Sequence, residues 1–437
     1  MQEHSYVQMQ QEEICPMTNA LGIVDDDTFF RITTCLANEG YNVNNVIQAN
    51  KAFWWDEQIW DAIKNTAGPT GMNALMYNSW KGNLERVAWL LKRTPKLEMT
   101  LHGTLEGTTA LLLACAHGHL EIAQLLMSRG AQPAKTKDGN TCLILATSNN
   151  RYNLVGWLTT FMNLEEKDRD GKTALAIAVK RADYQMVQML CDAGADVNTL
   201  DNFTETPLFH AARKGMIYIV RQLLRRGAKV NLVNTHESTP LFIAAGGGCS
   251  ETVRALCAAG ADVNYVRADG QSALFSAAIS GILASVIELC DAGALVDCAD
   301  VHDMTPLMHA CLQRQYNIVE ELLSRGANPR AQTTNGTAPI MYAAKSHNLG
   351  LVKLICERGV DVNHTDMWGG SALMTACVSR DLEIVTYLMS MGADPRKCDI
   401  VGPTEDFIKM RDPQIYAMIK RLRYEPARES QQTNWLD

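Results

Sequence analysis

Leu175, Leu208, Leu241, Leu274, Leu307, Ile340 and Leu373 follow one another at six consecutive intervals of 33 residues, each within a Thr/Ser-Pro/Ala-Leu type of segment. A fixed period of this length constrains the fold more than any other feature of the chain. One such unit cannot bury its own apolar faces, so neighbours must stack and share a core. At 437 residues the length alone would suggest about three globular domains, but the period replaces them with one elongated body. Before the regular block the anchor recurs at Leu143, Leu111 and, more loosely, Leu75, at intervals of 32, 32 and 36. The array therefore holds ten repeats and spans residues 71–401.

The other recurring residues have mechanical reasons. Thr206, Thr239, Ser272, Thr305 and Ser371 each precede a short apolar stretch, where a hydroxyl can accept a hydrogen bond from an otherwise unpaired helical amide. Pro207, Pro240, Pro306 and Pro339 suit the first helical position, where a missing N–H does no harm. The pairs Ala211-Ala212, Ala244-Ala245, Ala277-Ala278 and Ala343-Ala344 leave one face bare for close approach of a second helix. That second helix is marked by Ile219, Val220, Leu223 and Leu224, or Ile318, Val319, Leu322 and Leu323, at helical spacing. It ends at Gly194, Gly227, Gly260, Gly293, Gly326, Gly359 or Gly392, and a turn rich in Asp, Asn and Gly follows, as in "DVNYVRADG".

Whole units line up with a known pattern. "TPLFHAARKGMIYIVRQLLRRGAKVN" from Thr206 to Asn231 and "TPLMHACLQRQYNIVEELLSRGANP" from Thr305 to Pro329 resemble ankyrin repeats along their full length. The resemblance implies an all-α solenoid of helix-turn-helix pairs with β-hairpin or turn tips, whose tips and first helices form a concave face that holds a partner. The chain departs from the family where a histidine usually follows Thr-Pro-Leu: Phe209, Phe242, Phe275, Met308, Met341 and Met374 stand there instead, exchanging a polar link for apolar packing. The third repeat, Thr141 to Asp168, lacks the Gly-Ala ending and marks the place for a bend or a partner contact. Residues 402–424 read as a polar capping half-repeat, and residues 1–18 and 425–437 as disordered polar tails.

Composition removes several classes of function. Forty basic against 48 acidic residues leave a net charge of −8, unlike the basic stripe of a nucleic-acid binder. The chain has neither an apolar run long enough to span a membrane nor the basic-then-apolar start of a signal peptide, so a cytoplasmic and also nuclear location is expected. Of the thirteen cysteines, Cys191, Cys257, Cys290 and Cys356 stand where other repeats carry Leu or Met, and Cys115, Cys311 and Cys377 replace an alanine. They read as small core hydrophobes, and with no C-x-x-C pair no metal site is expected. Phosphate-binding, zinc-protease and serine-hydrolase motifs are absent from the sequence, and His117 and His119 in "AHGHLE" belong to the loop of their repeat. Neither catalysis nor a cofactor is expected.

Residues 19–66 form a helical segment of a different kind. Phe29, Ile32 and Leu36 recur at helical spacing, as do Val43, Val46 and Ile47. The stretch "ANKAFWWDEQIWDAI" resembles the end of an F-box through Asn50, Lys51, Phe53, Ile59 and Trp60, although "GIVDDD" stands in place of the usual Leu-Pro opening. That resemblance implies docking to a Skp1-type subunit, which would make the array the substrate-recognition part of a cullin-type ubiquitin ligase. The alternative is a plain cap that shields Leu75 and Trp89 of the first repeat.

Candidate partner-binding residues follow from their positions in the repeat. Turn tips carry Phe203, His236, Arg267, His302 and Trp368, and the exposed side of the first helices carries Tyr77, His210, His309 and Tyr342, extended by Arg213 and Lys214. Aromatic residues and arginines are the commonest interface hot spots. Asn198, Asn231, Asn264 and Asn363 hold a Val-Asn position that related arrays offer for hydroxylation. The expected partner is a protein of unspecified identity rather than nucleic acid or membrane, and the expected state is a monomer.

Overall fold

The computed structural model describes residues 74–92, 107–394, 409 and 413–424. The disordered tails and the segment 19–66, with Phe29, Ile32, Lys51, Phe53, Ile59 and Trp60, fall outside the described residues. The chain divides into two compact units, with the boundary in sequence between Pro207 and Leu208.

The first unit contains four helix pairs: α1 (Ala74–Lys81) with α2 (Leu84–Leu91), α3 (Ala110–His117) with α4 (Leu120–Ser128), α5 (Cys142–Ser148) with α6 (Tyr152–Leu158), and α7 (Ala174–Lys180) with α8 (Tyr184–Asp192). The fifth pair, α9 (Pro207–Arg213) with α10 (Ile217–Arg225), opens the second unit. Five more follow there: α11 (Pro240–Gly247) with α12 (Ser250–Ala258), α13 (Ala273–Ser280) with α14 (Leu283–Asp291), α15 (Pro306–Leu312) with α16 (Tyr316–Ser324), α17 (Pro339–Lys345) with α18 (Leu349–Cys356), and α19 (Ala372–Val378) with α20 (Leu382–Ser390). A last helix, α21, runs over Pro413–Tyr424. Ten pairs among the described residues match the ten repeats read from the anchors.

Within each unit the helices form two layers. First helices pack on the first helices of neighbouring pairs, as α11 on α13 and α17 on α19, and second helices do the same, as α12 on α14. The alanine pairs of α9, α11, α13 and α17 are buried in that arrangement, as are Cys115, Cys311 and Cys377 at the corresponding positions. Phe209, Phe242, Phe275, Met308 and Met341, which replace the usual histidine, are buried too, so apolar packing does take over from the polar link.

Local chemistry sets the helix ends. The hydroxyls of Thr239, Ser272, Thr305 and Ser371 accept from the amides of Phe242, Phe275, Met308 and Met374 at 3.2–3.3 Å. Thr206 does not: its Oγ1 is buried without a partner, contrary to the cap expected there. Seven second helices end at the anticipated glycines, with φ from 68° to 91°. An added Cβ at Gly260 or Gly293 would meet nothing within 4 Å, so the left-handed backbone alone selects glycine at these two positions. In the third repeat the missing glycine is compensated by threonines. Thr159 and Thr160 donate their hydroxyls to the carbonyls of Gly156 and Trp157 at 3.0 and 2.7 Å.

The tips are turns rather than β-hairpins. Among the described residues the extended pairing amounts to one isolated bridge, Thr365 with Ser371.

Leu241, 1% exposed at the start of α11, probes the shared core. Leu241→Ala is expected to cost about 2–5 kcal/mol and to broaden or split the urea transition followed by circular dichroism. A transition with unchanged midpoint and slope would contradict stacked stabilisation.

Candidate partner-binding face

At four of the tips the turn is organised by the residue that opens it. Asp201 Oδ1 accepts from the amides of Phe203 and Glu205, both at 2.9 Å. Asn234 does the same for His236 and Ser238 at 3.0 Å, and Asp300 for His302 and Met304 at 2.9 Å. Asp366 binds the amides of Trp368 and Gly370 at 3.0 and 2.7 Å. A backbone bond across the turn, such as Asp300 N–H to the Met304 carbonyl at 3.0 Å, completes each loop. The residue two places after the acceptor thus has its amide held while its side chain points away.

Successive tips are also joined through the backbone. In the first unit the amides of Arg169 and Asn202 donate to the carbonyls of Asp138 and Asp170 at 2.7 and 3.1 Å. In the second, Val301, Thr334 and Met367 donate to Asp269, His302 and Asn335 at 3.1, 3.0 and 2.9 Å. The tips approach so closely that a Cβ on Gly270 would lie 2.6 Å from Asp300 Cα.

Four of the five predicted tip residues occupy this outward position. Phe203 is 55% exposed in the first unit, and in the second Trp368 is 59% exposed with His236 and His302 also open to solvent. Arg267 is a correction. It stands in the register of Asp300, not of His302, and its guanidinium turns inward over the Phe242 ring, 4.8 Å from the centroid, with Asp269 at 3.3 Å. Its Nε is buried without a partner. This tip opens with arginine instead of Asp or Asn, and the outward position two residues on is held by Asp269. Val301 and Met367, 59% and 67% exposed, escaped the sequence reading. The signal for them is the position just before each outward tip residue.

The first-helix candidates are more enclosed. His309 is half-buried, its ring edge-on to Phe275 at 5.2 Å. Burial lowers its pKa, against the upward pull of Asp300, and Nδ1 has no partner. Burial raises the pKa of half-buried Tyr342, opposed by hydrogen bonding with Thr333 and Thr337. Tyr77 lies 5.8 Å from the Trp80 ring and from the Lys81 ammonium. His210 is half-buried, whereas Arg213 and Lys214 are exposed. His119 keeps to its loop, with Nε2 3.1 Å from the Trp80 carbonyl. Burial lifts the thiols of Cys257, Cys290 and Cys356 to about 11, so they stay protonated at neutral pH; Cys356 is a core group, whereas Cys257 and Cys290 are half-buried.

The Val-Asn positions have a structural task. Asn231 donates Nδ2 to the Gly260 carbonyl at 3.1 Å and accepts from the Asp262 amide at 2.9 Å. Asn264 bridges Gly293 and Leu295 at 3.2 and 2.8 Å, and Asn363 bridges Gly392 and Asp394 at 3.0 and 2.7 Å. At the same register Asp297 accepts from Asn328 at 3.0 Å and Arg330 donates to the Gly359 carbonyl at 2.7 Å. In the first unit Glu165 accepts from Asp196 at 2.8 Å.

A family model described as "Ankyrin repeats (3 copies)" matches the chain over residues 43–137, 75–163, 132–201, 194–267, 241–333 and 307–399. The chain belongs to the ankyrin repeat family. No curated protein matches it. Ankyrin repeats commonly mediate protein–protein interaction, and the family is typically non-catalytic. The first ankyrin match begins at residue 43, within the segment 19–66. Among the described residues no helix is long and apolar enough to cross a membrane.

The enclosure of His309 sets a pH dependence for this ankyrin unit. Its folded pKa lies below the ordinary 6.5, so on acidification the unfolded chain takes up the proton first. The contribution is present above about pH 6.5 and is lost as the pH falls toward the folded value. Urea titrations at a series of pH values should show His309→Gln losing part of the wild type's acid sensitivity; an unchanged slope would exclude the burial effect.

Proposed function

We propose that this chain is a non-catalytic scaffold that holds a protein partner against its tips and the adjoining side of its first helices, the concave side in related arrays. The observation that carries the reading is the exposure of Phe203, Met367 and Trp368 on turns whose backbone amides are bonded. A turn needs no aromatic side chain at its apex, and a rigidly held exposed aromatic loses little entropy when a partner covers it. His236, His302, His210, Arg213, Tyr77, His309 and Tyr342 provide the polar and aromatic surroundings, while Arg267 supports Phe242 from within.

In this reading the protein is a cytoplasmic, and also nuclear, monomer. Residues 19–66 cap the array, residues 402–424 close it, and residues 1–18 and 425–437 are tails. A hydroxyl added to the carbon chain of Asn231, Asn264 or Asn363 would leave both amide hydrogen bonds in place, so modification and repeat linkage are compatible. A second reading rests on the Asn50, Lys51, Phe53 and Ile59-Trp60 pattern. There residues 21–65 recruit a Skp1-type subunit and the array selects a substrate for a ubiquitin ligase. Co-purification of full-length protein with and without Lys51→Glu and Trp60→Ala separates it from the plain scaffold.

The combined variant Phe203→Ala, His236→Ala and Trp368→Ala tests the binding face. Capture from lysate, read by quantitative mass spectrometry against wild type, is expected to lose specific partners with Tm unchanged, because truncating exposed side chains costs no more than about 0.5 kcal/mol each. A drop in Tm would make the three residues structural.

A further inference from the structure

The fifth repeat carries Arg213, Lys214, Arg221, Arg225, Arg226 and Lys229, with no acidic residue from Thr206 to His236, in a chain whose net charge is −8. Arg221 and Arg225 lie four residues apart on α10 and face outward beside Tyr218, which is 73% exposed. Neither arginine forms an ion pair among the described residues, so two like charges stand side by side on one helix face. They rim a cleft of about 420 Å³ between α10 and α12, floored by Leu224, Ala255 and Ala258 and completed by Arg254 and Glu251. Arg254 is already satisfied by a two-pronged contact with Glu288, its Nε lying 2.9 Å from Oε2 and its Nη2 meeting Oε1. Arg221 and Arg225 are therefore the guanidinium groups left to recognise a ligand.

We infer that this cleft docks a short acidic peptide segment of a protein partner, carboxylates on Arg221 and Arg225 and an apolar side chain on the alanine floor. Guanidinium groups match carboxylates bidentately, and tyrosine and arginine are both enriched among interface hot spots. The charge pattern along the second helices disfavours a polyanion. In later repeats the register of Arg221 carries Arg254, Ile287, Glu320 and Lys353, and that of Arg225 carries Ala258, Asp291, Ser324 and Glu357, so the basic character is broken and a nucleic acid laid along the second helices would meet the carboxylates of Asp291, Glu320 and Glu357. A segment confined to one cleft avoids them. This surface lies on the second helices, apart from the tips, and does not depend on the tip residues.

The test uses the full-length protein and a fluorescein-labelled peptide of alternating glutamate and leucine, followed by anisotropy. Wild type is expected to bind it in a salt-sensitive manner and to ignore the glutamine-leucine counterpart. Arg221→Glu with Arg225→Glu should weaken binding by at least about tenfold. Lys353→Glu with Arg358→Glu, the same charge change elsewhere, should leave it intact, as should the tip variant of the preceding section. Should the double glutamate variant fail to keep its Tm, Arg221→Gln with Arg225→Gln replaces it. Equal binding of both peptides, no binding, equal loss in the control pair, or tighter capture of single-stranded DNA or phosphatidylserine vesicles lost on the same substitutions would each overturn the proposal.

Discussion

In the third repeat and from the fifth to the ninth, one side chain reaches forward to the next repeat. At the register of Asn231, Asn264 and Asn363 an amide gives its N–H to the carbonyl of the glycine that ends the following second helix, and takes the backbone N–H two residues later. Each such bond contributes roughly 0.5–1.5 kcal/mol. Its value here lies as much in geometry, because it fixes the distance between consecutive helix pairs at the very place where the chain leaves the helix for the tip. The left-handed glycine is needed for this arrangement, since its backbone turns the carbonyl toward the incoming amide. Where asparagine is absent, Asp297 supplies only the acceptor and Arg330 only the donor.

With spacing set on one side by these links and on the other by alanine-lined helix contacts, the tips of each unit come close enough to bond through their own backbones. The framework thereby meets the polar demands of its tip amides with its own atoms. At Phe203, His236, His302 and Trp368 the apical side chain is left out of that bonding, which is why it can differ from tip to tip as phenylalanine, histidine and tryptophan. In the proposed binding face recognition is a matter of what is written on that support, and the cleft proposed on the fifth repeat applies the same logic to the second helices.

Much of this was legible in the residues. Anchor spacing, threonine and serine caps, alanine pairs and terminal glycines each report a local backbone requirement, and they located ten helix pairs. The failures have a common cause. The role of Asn264 depends on Gly293, 29 residues ahead, and no local pattern announces a bond over that span. At Arg267 the Asp or Asn that marks the start of a tip is missing, and the inward turn of its guanidinium over Phe242 is a tertiary fact. Thr206 looks like its counterparts in sequence but accepts no hydrogen bond. Met367 and Val301 are marked in the sequence only by their place just before an outward tip residue, and nothing in their own chemistry distinguishes them.

Amide hydrogen exchange at single-residue resolution bears most directly on the repeat-to-repeat links. The account predicts slow exchange for Asp262, Leu295 and Asp394, whose N–H groups are held by asparagine side chains, and for Val301, Thr334 and Met367, which bond to the preceding tip. Exchange of these amides at the rate of an unstructured peptide would contradict it.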